Sequence, residues 1–199
     1  MLPYPTTRTI EVTSAATEPV TLADAKAHAR VDVSADDALI SSLIVAAREF
    51  CERCTGRTFA QRTFVQTMRH FPEYGADIIV QRSPLISVQS VNYYAADGTD
   101  TLMTVATDYR VRANTMPGRI SLPVTFTRWP IVSTVDDAVR IAYTAGGSVP
   151  QIARQAMLML IAHWYENREA VIVGESSGSP VAIASRALLD TLRVRDLMP

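Results

Sequence analysis

The chain has 199 residues, 48% hydrophobic and 20% charged, with a formal net charge of −1; this composition excludes wholesale disorder and suits one large or two small globular domains. Nine basic and twelve acidic side chains in the first hundred residues, against ten and eight in the rest, exclude the strong positive field of a nucleic-acid binder. The longest apolar run in the helical part, Ala156 to Ala162, is far short of the ~20 residues that cross a bilayer.

The first residues, "MLPYPTTRTIEV", lack a basic segment followed by an apolar one, so no secretory signal is expected and the cytoplasm of the producing cell, or a particle assembled there, is the expected location. "PVTLADAKAHARVD" then begins with a helix start. Thr21 is positioned as an N-cap, with Asp24 three residues on as in a capping box. Leu22, Ala25 and Ala29 share a face. "VSADDALISSLIVAAREFCERCTGR" repeats the device with Ser34 and Asp37. Leu39, Leu43, Ala46 and Phe50 form one apolar stripe; Ile40, Ile44, Ala47 and Cys51 form a second beside it. Two adjacent stripes predict a helix buried over a wide arc. Gly56 predicts its C-terminal stop.

From Arg57 the texture changes. "RTFAQRTFVQTM" mixes β-branched and aromatic residues in partial alternation, and "ADIIVQRSP" follows. "LISVQSVNYYAADGTDTLM" reads as two strands across an Asp97-Gly98 turn. "DYRVRANTMPGRISL" reads as another hairpin turning near Pro117-Gly118, and "AVRIAYTAGG" closes the series. After Gly146-Gly147 a helix returns in "VPQIARQAMLMLIAHWYENRE", with Pro150 in its first turn. Its apolar residues fill nearly every side, which predicts a central helix packed through Met157, Leu160, Ile161 and Trp164. "AVIVGESSGSPVAI" reads as a loop. "ASRALLDTLRVRDLMP" reads as a short amphipathic helix carrying Leu188, Leu189 and Leu192.

The expected fold class is α+β: a helical core formed by N- and C-terminal helices, with an inserted antiparallel β module. Residues 1–17 are expected to be an N-terminal arm, 18–56 the first part of the core, and 57–147 the β-rich insert. Residues 148–199 are expected to complete the core with a C-terminal loop and short helix.

Catalytic motifs are few. Cys51-x-x-Cys54 falls at the C-terminal end of its helix, whereas a redox pair gains its low thiol pKa from a helix N-terminus. Arg48, Arg53 and Arg57 could partly compensate, so redox chemistry stays open as the lesser alternative to packed, reduced thiols. Structural zinc needs about four ligands, and only His28, His70 and His163 join the two cysteines. His163 and Glu166 are neighbours on one helix face without a third ligand in sequence. Trp164 and Arg168 are spaced for a cation–π contact, and Glu166 or Glu169 for pairing with arginines of the strands or of another subunit. Asp36-Asp37 reads as a first-turn complement to the helix dipole. Phosphate loops are absent, and "GESSGSP" lacks the pattern of a nucleophile elbow. The expectation is a protein without enzymatic activity and without cofactor or metal. Lys26 is the only lysine; genomic base composition is one reading of the arginine excess, and interfaces that use bidentate Arg contacts are another.

Taken together, "EPVTLADAKAHARVD", "DDALISSLIVAAREFCERCTGRTF", the β-rich middle, "VPQIARQAMLMLIAHWYENREAV" and "SRALLDTLRVRD" resemble the head–tail connector (adaptor) family of tailed bacteriophages and prophages, from Glu18 to Arg195. The β middle departs from the shortest members, which are nearly all helical. The resemblance implies a structural protein that forms a ring below the portal vertex, extends the DNA channel and offers a platform for a stopper or tail. Implied partners are the portal protein, a stopper or tail-completion protein, further copies of the chain, and passing genomic DNA without sequence specificity. The implied location is the head–tail junction of the virion, assembled in the host cytoplasm. Implied assembly residues are His163, Trp164, Glu166, Arg168 and Glu169 at the end of the long helix, and Arg186 and Arg193 near the last one; the loop from Ala170 to Ala184 is a further candidate contact. The alternatives are another assembly part such as a stopper or tail-completion protein, a redox protein centred on Cys51 and Cys54, and a host- or carbohydrate-binding β module using Tyr93, Tyr94, Tyr109 and Trp129.

Overall fold

A computed structural model describes residues 7–13, 17–167 and 180–194, with the side chains of 180–183 excepted. The fold is mixed α+β, with two compact units. One holds residues Gln61–Gly147 together with strand β1 (Arg8–Glu11). The other holds Thr17–Ala60 together with the two helices of the C-terminal part. No helix among the described residues is long and apolar enough to cross a membrane.

The helical unit begins with α1 (Leu22–Ala29), and its capping box forms as the sequence predicts. The Thr21 hydroxyl accepts from Asp24 N at 3.1 Å, and Asp24 Oδ2 accepts from Thr21 N at 3.4 Å. That carboxylate also accepts from Arg154 Nη2 at 2.5 Å, which ties α1 to α3 (Gln151–Glu166). The Thr21 hydroxyl, then Arg154, hold the Asp24 carboxyl below the usual carboxylate range.

Helix α2 (Asp37–Thr55) starts differently from expectation. Asp36 occupies the cap position, but its side chain makes no capping bond to the first turn, and Ser34 contributes its carbonyl, which accepts from Asp37 N at 3.2 Å. Asp37 instead accepts from Lys26 Nζ at 2.6 Å, so the one lysine joins α1 to α2. Gly56 ends the helix at φ 69°, a left-handed cap that its missing Cβ makes cheap.

The wide buried arc of α2 is present and is centred on the second predicted stripe, but it widens to the opposite flank from the one expected. Ile40, Ile44, Ala47 and Cys51 are fully or nearly buried, while Leu39, Leu43 and Phe50 are half-buried and Ala46 is exposed. The other flank, Arg48, Glu52 and Thr55, is buried although it is polar. Helix α3 buries Ala153, Ala156, Met157, Leu160 and Ile161 and packs against α1, α2 and α4 (Pro180–Asp190). Helix α4 starts earlier than the sequence pattern implied and anchors through Leu189, which is fully buried.

The β unit holds two antiparallel sheets. The first runs β1–β2–β8–β4–β5, with β2 at Arg62–Met68, β4 at Leu85–Tyr94, β5 at Asp100–Leu102 and β8 at Val139–Ala145. The second runs β3–β7–β6, with β3 at Ile78–Ile79, β6 at Arg110–Arg112 and β7 at Arg119–Ser121. Both expected hairpins form: β4 pairs with β5 around Asp97-Gly98, and β6 pairs with β7 across the turn that ends at Pro117-Gly118.

Register explains why β4 alternates poorly in sequence. On β8, Val139, Ile141, Tyr143 and Ala145 point into the core at strict period two. Opposite them on β4 stand Tyr93, Val91, Val88 and Leu85. Register shifts at Leu85/Ser87 and Val88/Ser90 rephase the strand, so that residues three apart share one face. Gly118 passes so close to β4 that a Cβ there would lie 2.5 Å from Leu85 Cβ.

Gln66 links the two sheets from full burial. Its Nε2 donates to Ile79 O at 3.1 Å, and its Oε1 accepts from Gln81 N at 3.0 Å. Gln66→Leu fills similar space but leaves both backbone groups without this partner, each worth about 1–3 kcal/mol. Urea unfolding of the variant is expected to show a loss of about 2–4 kcal/mol; a loss below about 0.5 kcal/mol would contradict the link.

Candidate functional site

The end of α3 is organised by its own residues. The Trp164 ring meets Phe50 of α2 edge-on, with centroids 6.1 Å apart. Tyr165 donates its hydroxyl to Asp36 Oδ2 at 2.6 Å, fixing the end of α3 to the start of α2. Asn167 closes the helix: its backbone N–H and its Nδ2 both donate to His163 O, at 3.0 and 2.9 Å. The same Nδ2 lies 3.1 Å from His163 Nδ1. His163 therefore engages the cap residue, and Glu166 is exposed to solvent. Spacing made His163 and Glu166 look like a pair; Asn167, equally placed one turn on, is the partner the structure uses. Arg168 and Glu169, with the expected cation–π contact to Trp164, lie outside the described residues, as does most of the loop from Ala170 to Ala184.

Arg186 and Arg193, both exposed, lie elsewhere. They line a cleft of about 320 Å³ with Asp190 and with Arg53 and Cys54 from the last turn of α2. The α3-end residues are not among its walls. Two bonds set the cleft: Val194 N donates to Thr55 O at 2.8 Å, and Arg57 Nε donates to Leu192 O at 2.6 Å. Sequence shows Arg186 and Asp190 one turn apart. Only the fold brings Arg53 to them.

The two cysteines separate chemically. Cys51 is fully buried, and burial, then Cys54 and Glu52, push its thiol up to about 12. A thiol held protonated in a core is the opposite of an activated nucleophile. Iodoacetamide near pH 8 is expected to reach the half-buried Cys54 and leave Cys51 unmodified until the chain unfolds, as read by peptide mass mapping. Modification of Cys51 at the rate of Cys54 in the folded protein would reopen the redox alternative. Among the described residues no three His, Cys, Asp or Glu side chains are grouped as metal ligands would be.

A buried ionic hub escaped the sequence reading. Arg48 Nε donates to Glu18 Oε2 at 2.8 Å, and its Nη1 donates to Glu52 Oε2 at 3.1 Å. The other oxygen of Glu52 accepts from Phe59 N at 2.7 Å and Ala60 N at 3.4 Å. Burial alone would depress the Arg48 guanidinium; the Glu18 hydrogen bond and the charges of Glu52, Glu18 and Glu49 outweigh it and hold it above its ordinary value. The usable signal was the spacing of Arg48, Glu52 and Thr55, which continues the buried arc of α2.

Of the aromatics expected on strands, Tyr93 and Tyr94 lie on β4 while Tyr109 and Trp129 lie outside the strands, and the set serves packing. Tyr109 and Trp129 are buried, Trp129 stacks on Phe71, and Arg140 lies over the Tyr94 ring at 4.4 Å. Tyr74 and Ile131, by contrast, are 94% and 82% exposed beside a cleft of about 580 Å³.

Solved chains that share this fold include three from gene transfer agent particles. A chain from the neck of an empty gene transfer agent particle, computed with C6 symmetry, matches with TM-score 0.75 and 24% identity, covering 94% of this chain and 95% of that one. A chain from the virion of the native gene transfer agent particle matches at 0.74 and 23%, with the same coverage. One from the neck of the native particle, computed with C12 symmetry, matches at 0.73 and 22%, again over 94% and 95%. Among curated proteins none matches the sequence. The model of the head completion proteins matches residues 18–182, from before α1 into α4. With that match spanning most of its length, this chain belongs to the head completion protein family.

Proposed function

We propose that the chain is a structural subunit of the head–tail junction of a tailed phage, prophage or related particle. In this reading it forms a ring below the portal, extends the DNA channel and offers the platform on which a stopper or tail docks. The family match over residues 18–182 carries the proposal. The end-to-end likeness to chains from particle necks supports its place in the assembly. The subunits assemble in the host cytoplasm and remain in the virion. The partners are the portal, the stopper or tail-completion protein, and neighbouring copies in heterologous, ring-closing contact. A net charge of −1 suits a wall along which DNA slides without sequence-specific grip. The helical unit is the body of the subunit in this reading, and nothing in the role requires a reaction site.

Deleting the gene is expected to leave DNA-filled heads and free tails that do not join, and purified protein is expected to restore joining in the extract. Normal virions from the deletion would sink the proposal. The end of α3 is assigned to assembly. Glu166→Ala is expected to change unfolding free energy by no more than about 0.5 kcal/mol, as for other exposed positions, while reducing the fraction bound to the portal. Loss of both in proportion would instead make the residue a fold determinant.

A further inference from the structure

The cleft between the end of α2 and α4 is lined by three arginines, Arg53, Arg186 and Arg193, and Asp190 is the one acidic residue among its described lining. Elsewhere in the fold Arg48, Arg62, Arg140 and Arg154 each meet a carboxylate at 2.5–2.8 Å. Among the described residues Arg53 and Arg186 have no such partner and are exposed to solvent. We propose that this cleft binds an acidic, carboxylate-bearing segment of a protein partner. The inference rests on the reading of the chain as a junction subunit and adds where, and by what chemistry, one partner is held.

The geometry supports a site with walls already in place. The bonds from Val194 N to Thr55 O and from Arg57 Nε to Leu192 O clamp the segment after α4 onto the end of α2. Buried Leu189 fixes α4 from beneath. The arginines therefore project from anchored backbone, and less ordering is required when a ligand arrives. Guanidinium forks match carboxylates in bidentate geometry. A volume of about 320 Å³ suits one or two acidic side chains. Duplex DNA fits less well: it needs positive groups spread along a path of phosphates, and here an aspartate shares a small cleft with the arginines. Arg53 also complements the negative end of the α2 dipole, but that role does not require Arg186 or Arg193 beside it.

The test uses the full chain and a fluorescein-labelled polyglutamate peptide of about ten residues, with anisotropy as the readout. Binding is expected at about 50 mM salt and is expected to weaken as salt rises. It should fall about tenfold or more in Arg53→Gln/Arg186→Gln, whose exposed substitutions leave the unfolding midpoint in place. Bound peptide should also slow alkylation of Cys54, which lines the same cleft. Absence of peptide binding, or equal binding by the variant, would overturn the proposal. So would preferential binding of a duplex of about 20 base pairs that the same substitutions abolish, which would make the cleft a nucleic-acid contact. Sedimentation with the portal, run in parallel, separates the two claims. Portal binding without peptide binding defeats the acidic-ligand inference alone. Peptide binding without portal binding defeats the junction reading and with it the partner's placement.

Discussion

Replacing Glu52 with alanine is expected to destabilise the helical unit by about 3–5 kcal/mol, the range for breaking a buried ion pair from one side. The carboxylate has three duties at once. It accepts from Arg48 Nη1 at 3.1 Å, and it satisfies Phe59 N and weakly Ala60 N, just beyond the end of α2. Its removal leaves Arg48, a residue 5% exposed, with Glu18 at 2.8 Å and the exposed Glu49 at 3.6 Å as its acidic neighbours. It also leaves two buried backbone donors without their acceptor. The pair Arg48→Met/Glu52→Leu is expected to cost less than Glu52→Ala, because it removes the stranded charge and fills the space. Urea unfolding followed through Trp164 fluorescence, in a Trp129→Phe background, measures both. A Glu52→Ala loss below about 1 kcal/mol would mean that water enters and replaces the carboxylate.

Trp129→Ala is the counterpart in the β unit, with an expected loss of about 3–5 kcal/mol. The indole stacks on Phe71 with centroids 5.0 Å apart and planes 9° from parallel, and Phe71 in turn meets Tyr93 at 5.8 Å. Nε1 donates to Ala76 O at 2.8 Å. Truncation opens a cavity where three aromatics meet and strands a carbonyl. Trp129→Phe keeps a smaller aromatic ring against Phe71 and loses the bond, so it should cost less, about 1–2 kcal/mol. Far-UV circular dichroism in urea distinguishes the two. Equal losses would assign the effect to the hydrogen bond rather than to packing.

What the sequence shows and hides here follows from the range of the interactions involved. The capping box at Thr21 and Asp24, the left-handed stop at Gly56 and the hairpin across Asp97-Gly98 depend on residues within a few positions, so pattern alone finds them. The two register shifts of β4 do not show, because they are set by pairing with β8, about fifty residues away. Strand β1 is four residues of unremarkable composition, made a strand by its pairing with β2. Arg48 and Glu52 look solvent-facing until their partners Glu18 and Phe59 N are in place. The site behaves likewise. Trp164 and His163 fall within a helix end that local spacing reveals, although the partner of His163 is Asn167 rather than Glu166. The grouping of Arg53 with Arg186 and Arg193 is long-range, and no periodicity in either helix announces it.

The most direct test of the junction reading is co-sedimentation of the purified protein with its cognate portal, followed by negative-stain imaging of the pellet. A closed ring of added density on the tail-facing side of the portal is expected, lost when the protein is omitted. A protein that stays in the supernatant as a monomer, with bare portals in the pellet, would contradict a ring below the portal and move the chain to a later step of tail completion.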